Sequence, residues 1–132
     1  MWLLDTNVWI AYLSKKPSPV KSRIAGMPEN QLWLCDVVKA ELYYGAYKSA
    51  RPDENLAILE TLFSVLPSFS FDGDAALHFG SIRAQLARQG TPIGPYDLQI
   101  AAIARTHGAT LVTHNTGEFS RVPGLLLEDW EG

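Results

Sequence analysis

Trp2-Leu3-Leu4-Asp5-Thr6-Asn7-Val8-Trp9 is three apolar residues that stop at an acid and turn at once into a helical pattern. Val8, Trp9, Tyr12 and Leu13 share one face of a helix predicted over Thr6–Ser14. Lys15-Lys16-Pro17-Ser18-Pro19 breaks it, and Val20–Met27 reads as a second helix. Leu32-Trp33-Leu34-Cys35 repeats the short apolar strand, and Asp36 is expected to cap a helix to about Lys48. Helices follow over Pro52–Val65, Asp72–Arg88 and Tyr96–Thr106, the last ending near Gly108. Gly90 to Pro95 reads as a loop, Ala109–Val112 as a third strand and Gly124–Leu127 as a fourth. Short apolar strands separated by helices imply a parallel sheet covered by crossover helices, the α/β class.

The chain has 132 residues, enough for one domain with a core that needs no disulfide or structural metal. Its hydrophobic fraction of 47% and charged fraction of 19% are those of a folded chain, which argues against disorder. The one cysteine, Cys35, excludes an internal disulfide framework and a Cys-rich zinc site. No apolar run reaches the ~20 residues of a membrane span, and Met1 to Asp5 has no signal-peptide pattern, so a cytoplasmic protein is expected. The net charge of −3 speaks at first against a nucleic-acid partner held by bulk positive charge.

Three acids stand where apolar or capping residues would suffice. Glu41 has Val37, Val38, Tyr44 and Gly45 as its helix-face neighbours. A carboxylate in such a stripe needs a basic partner, a hydrogen-bond network or a metal. Asp97 opens the helix whose inner face carries Ile100, Ala101 and Ala104, and Asp5 ends the first strand. Taken singly, Asp5 and Asp97 are also good helix-start residues, and Glu41 could lie at a stripe's edge. Together they aim at one crevice beyond the carboxyl ends of the strands. Two carboxylates about 5 Å apart repel by about 3 kcal/mol at an effective dielectric of about 20. A hard divalent cation resolves that repulsion, and the absence of paired Cys or His ligands favours Mg²⁺ or Mn²⁺ over zinc. Such a site suits phosphodiester hydrolysis. Assigned to it, the three acids account for the whole negative excess.

The residues around these acids resemble a known family. Asp5-Thr6-Asn7, then Val38-Lys39-Ala40-Glu41-Leu42-Tyr43-Tyr44-Gly45, then Gly94-Pro95-Tyr96-Asp97-Leu98-Gln99-Ile100-Ala101-Ala102, then Val112-Thr113-His114-Asn115-Thr116-Gly117-Glu118-Phe119 are similar to the four active-site segments of PIN-domain ribonucleases, in order. Ile82 to Gly90, Pro95-Tyr96-Asp97 and Glu128-Asp129-Trp130 resemble the VapC toxins of bacterial toxin–antitoxin pairs, above all the branch that cleaves initiator tRNA. The resemblance implies one PIN domain over residues 1–132, a three-layer α/β/α sandwich with a parallel sheet of four or five strands. It implies a Mg²⁺-dependent endoribonuclease, with Mn²⁺ able to substitute. Asp5 and Asp97 would be the main metal ligands and Glu41 would hold a water or a ligand. It further implies a homodimer held inactive by a VapB antitoxin within a larger assembly. Many PIN domains carry a fourth acid where this chain has Asn115, a catalytic candidate whose amide could still orient a water or a carboxylate. Glu118 is the candidate to compensate, with Thr6, Asn7 and Thr113 as supporting groups.

RNA contacts require cations and stacking surfaces. Lys15-Lys16 follows the first helix and is the leading phosphate contact. Trp9, Tyr12, Tyr43, Tyr44 and Tyr47 are candidates for stacking, dimer contact or antitoxin binding, and Tyr43 with Tyr47 for the antitoxin groove. Three rival readings remain: a non-catalytic PIN-like scaffold, a PIN ribonuclease with another tRNA, an rRNA or an mRNA as target, and metal-free cleavage by histidines. The last needs two of His78, His107 and His114 to converge.

Overall fold

In the computed structural model, which describes residues 1–132, the first two apolar runs pair in parallel. β1 (Trp2–Leu4) lies beside β2 (Leu32–Cys35), with Trp2 opposite Leu32. On its other side it pairs with β4 (Thr110–Val112), with Leu3 opposite Leu111. β3 (Ser68–Phe69) adds outside β2 and β5 (Leu126–Glu128) outside β4, giving one parallel sheet in the order β3-β2-β1-β4-β5. The chain thus starts at the centre, steps outward one way, then returns to build the other half. β1 and β4 flank the point where the direction of progress reverses, and the crevice beyond their carboxyl ends is where such sheets bind ligands.

Seven helices cover the sheet: α1 (Thr6–Leu13), α2 (Pro19–Ala25), α3 (Asp36–Tyr47), α4 (Pro52–Val65), α5 (Gly73–Arg88), α6 (Pro95–His107) and α7 (Thr116–Phe119). Their ends follow local chemistry. Ser18 accepts from the Val20 N–H and Asp72 from the Ala75 N–H, each capping a helix start. Pro19, Pro52 and Pro95 stand in the first turns of α2, α4 and α6, where a missing N–H costs nothing. Gly108 ends α6 at φ 63°, a left-handed conformation that favours glycine.

Several expectations are corrected. Asp36 does not cap α3: Cys35 holds that position, with no side-chain bond, and Asp36 lies in the first turn. Pro95 belongs to α6, the second helix ends at Ala25, and the last strand falls at Leu126–Glu128. β3 and the short helix α7 were not expected. α6 is buried nearly all round, with Leu98 and every residue from Ile100 to Ala104 inside, so it is a central helix rather than a one-faced one. Its three alanines allow close approach by the neighbouring α5. Leu3, Leu4, Leu34, Leu111 and Val112 are fully buried in the sheet, as short apolar parallel strands require.

Candidate active site

A continuous chain of hydrogen bonds crosses the sheet's reversal point. Asp5, at the end of β1, accepts the Thr6 N–H on Oδ1 at 2.7 Å, which makes it the N-cap of α1. Its Oδ2 accepts the Thr113 hydroxyl at 2.9 Å. Thr113, fully buried just beyond β4, accepts in turn from the Asn115 N–H at 3.0 Å. The Thr6 hydroxyl donates to Glu41 Oε1 at 2.8 Å. Buried Thr6 therefore links Asp5 to Glu41, and buried Thr113 links Asp5 to the Asn115 backbone. Glu41 is half-buried, with Val37 and Val38 inside and Tyr44 in solvent, so it stands where the apolar stripe of α3 meets the crevice.

Asp97 faces this group from the first turn of α6. Burial pushes its carboxyl up, and the negative charges of Asp5, Glu118 and Glu41 push it further, to about 7. Burial also raises Asp5, although the bonds from Thr113 and Thr6 oppose the shift. Glu118 moves the other way. The Asn115 amide donates to its Oε2 at 2.7 Å and the Gly94 N–H to its Oε1 at 3.1 Å, and both favour its ionised form. It ties the start of α6 to α7. Asp5, Glu41 and Glu118 thus lie near enough to Asp97 for their charges to act on it. Of the two candidates for the fourth position, Glu118 brings the carboxylate and Asn115 donates to it.

Thr113→Val removes a donor from Asp5 and an acceptor from Asn115 without changing the side chain's volume. It is expected to cost about 1–2 kcal/mol of stability in chemical denaturation, with Thr113→Ser restoring it.

The remaining candidates divide by burial. Trp9 is in the core, where Tyr12 meets it edge-on, and Tyr43 packs edge-on against Phe63, so Trp9 is excluded as a stacking surface. Tyr44 and Tyr47 are exposed. Asn7 and Lys16 border one shallow cavity, and Lys15 is in solvent beside it. Lys21 instead bonds the Ser14 carbonyl, and Arg23 lies over Trp130 and pairs with Glu128. The histidines do not converge: His78 accepts from Arg105, His107 stacks on Phe69 and His114 pairs with Asp129. His114, Asp129 and Glu131 are the one set of three such side chains whose ligand atoms all lie within 4.8 Å of one another. No three of Asp5, Glu41, Asp97 and Glu118 bring their carboxylate oxygens within that distance of one another.

Residues 2–125 match the PIN domain family. The chain is similar to the tRNA(fMet)-specific endonuclease VapC of Shigella flexneri, 45% identical over 129 residues, covering 98% of this chain and 97% of that protein. Among solved structures it is similar to DNA-bound VapBC from Salmonella typhimurium, with a TM-score of 0.91 and 43% identity over 98% of this chain and 97% of that one. VapBC2 from Rickettsia felis, bound to a DNA fragment from their promoter, gives a TM-score of 0.90 at 34% identity, covering 98% of both chains.

Proposed function

This chain belongs to the PIN-domain family, and from that membership we propose that it is a VapC-type toxin, a Mg²⁺-dependent endoribonuclease that cuts initiator tRNA in the anticodon stem-loop. The observation that carries the reading is four carboxylates near the sheet's reversal point, with Asp97 raised to about 7 by burial and then by the charges of Asp5, Glu118 and Glu41. A donor set of oxygens alone, with no cationic side chain paired to it, suits a hard divalent ion. Asp5 and Asp97 would hold that ion, directly or through water. Once bound, it would neutralise the carboxylates, lower the pKa of water and stabilise charge on the phosphate.

The chain's own residues do the rest. Thr6 occupies Glu41 Oε1, which leaves Oε2 to orient a water and take its proton. Thr113 and the Thr6 N–H hold Asp5 in one orientation, so little reorganisation is needed. Glu118 supplies the fourth carboxylate, and Asn115 positions it. Asn7 borders the crevice and Lys15 and Lys16 the approach to it, where RNA phosphate would be met.

The whole chain, residues 1–132, acts in this reading as one PIN domain in the cytoplasm, as a homodimer within a toxin–antitoxin assembly. A VapB-type antitoxin is the partner its structural relatives point to. An apolar groove of about 350 Å³ between α1, α3 and α4, lined by Ile10, Leu13, Leu42 and Ile58, runs up to Glu41 and suits an antitoxin segment that covers the site. Neither of the two tyrosines expected at an antitoxin groove lines this one: Tyr43 packs on Phe63, and Tyr47 is exposed elsewhere on α3. No helix is long and apolar enough to cross a membrane.

Incubation of the purified chain with total RNA in Mg²⁺ tests the reading. A single cut in the initiator tRNA anticodon loop is expected, leaving a 5′-phosphate and a 3′-hydroxyl. EDTA should abolish it, and Mg²⁺ or Mn²⁺ should restore it. Cleavage undiminished in EDTA would refute the metal assignment. A cut confined to rRNA or mRNA would move the substrate.

A further inference from the structure

Beside the acids, bordered by Thr6 and Glu41, lies a cavity of about 740 Å³. That volume is within the ~300–1,000 Å³ usual for ligand pockets. Its walls come from three elements. α1 contributes Thr6, Asn7 and Ile10, α3 the face from Asp36 to Tyr44, and α6 contributes Tyr96 and Gln99. Phe71, ahead of α5, completes it. The cavity and the acidic site thus share Thr6 and Glu41, so whatever fills one touches the other.

Its lining is unusual for a water-filled cleft. Tyr44 is 66% exposed, Tyr96 60% and Phe71 37%, three aromatic rings at one cavity. Lys48 lies on the same wall, its Nζ 4.8 Å from the Tyr44 ring centre, and makes none of the chain's salt bridges. Asp36 and Gln99 add groups able to read a base edge. Exposed rings beside a cation that forms no salt bridge make the pattern that holds unpaired nucleotides: bases stack on aromatic faces and cations meet phosphates.

We propose that this cavity holds the unpaired nucleotide next to the scissile phosphate, its base stacked on Tyr44 and its phosphate met by Lys48. The proposal rests on the ribonuclease reading above and adds a specificity site to it. Tyr44 lies one helical turn beyond Glu41, and Tyr96 directly precedes Asp97. A nucleotide seated here would therefore draw the neighbouring phosphate to the acids. Duplex RNA, with its bases already stacked, would lose this contact. The site thus selects loops over stems without reading a full sequence.

Steady-state cleavage of a fluorescent RNA hairpin with an unpaired loop tests this, together with its binding to an Asp97→Asn background in EDTA. The fully paired duplex is the comparison. Tyr44→Ala should raise KM and loosen loop binding about tenfold, with kcat nearly unchanged and duplex binding unaffected. Tyr44→Phe should behave as wild type, because stacking needs the ring and not the hydroxyl. Lys48→Ala should weaken binding and reduce the salt dependence by about one charge. If wild type cuts no RNA in Mg²⁺ or Mn²⁺, the ribonuclease reading falls and this inference with it. If wild type cuts but Tyr44→Ala changes KM and loop affinity by less than about twofold, the inference alone is overturned. The same holds if Tyr44→Ala keeps its RNA affinity and loses only its antitoxin, which would assign the cavity to protein recognition.

Discussion

Asp97→Asn is expected to lower RNA cleavage by at least about a hundredfold while making the metal-free protein more stable. The two effects share one cause. In the folded chain the Asp97 carboxyl titrates near 7, against 3.8 for its ordinary value, because it is buried among Asp5, Glu118 and Glu41. The folded state therefore holds a proton that the unfolded state has released. That contribution is fully present below about pH 4 and is lost as the pH rises to about 7. The carboxyl is half in solvent, so a shift of about 3 units corresponds to only about 1–2 kcal/mol after screening. Asparagine is uncharged at every pH and can donate to Glu118 as the protonated acid does. Thermal melts in EDTA should show wild type losing several degrees between pH 5 and pH 7.5, and the variant losing less. Adding Mg²⁺ should raise the wild-type melting temperature, more at pH 8 than at pH 6, and should scarcely move the variant's. A variant that cleaves RNA undiminished would refute the site. One that is less stable without metal would refute the electrostatic account.

Phe119→Ala is expected to cost about 3–5 kcal/mol, a large share of the ~5–15 kcal/mol that stabilises an ordinary domain. Phe119 is fully buried at the end of α7, a helix of one turn that could not persist without tertiary support. Its ring holds the backbone that presents Asn115 and Glu118. The midpoint of thermal unfolding should fall by on the order of 10–20 °C. Phe119→Leu, which keeps most of the apolar volume, should lose far less. Cleavage at a temperature where the alanine variant is still folded should also drop, because Glu118 and the start of α6 lose their shared anchor. A fall of less than about 3 °C would mean that α7 is held by other contacts.

The candidate acids were legible before the fold because they point to one place: Glu41 interrupts an apolar stripe, while Asp5 and Asp97, each a good helix-start residue by itself, stand at element ends that face the same crevice. What periodicity cannot report is contact between distant elements. β3 has two residues, too few for any alternation to register, and exists because Leu34 and Cys35 offer it an edge. Asp36 looks like a cap and is not one, because the strand end at Cys35 takes that position. Thr113 could be named as a supporting group from its place after the strand, but not as the group that joins Asp5 to Asn115. The cavity beside Tyr44 was equally hidden, since its walls come from segments far apart in the chain. Glu118 was half legible: its spacing from Asn115 was visible, but its bond to Gly94 depends on how α6 docks.

β1 is the first strand and the innermost one, and its Asp5 meets Thr113 across 108 positions. During synthesis Asp5 leaves the ribosome long before its partner has been made. β2 and α3 can gather around β1 early, but the other wall of the crevice does not yet exist. Loop closure on that scale is late and slow compared with local helix formation. A nascent or prematurely ended chain therefore carries the acids without the arrangement that orients them. Such a chain should be harmless to the translation machinery that is producing it, and the order of the strands itself delays the onset of activity until β4 and Thr113 have been made.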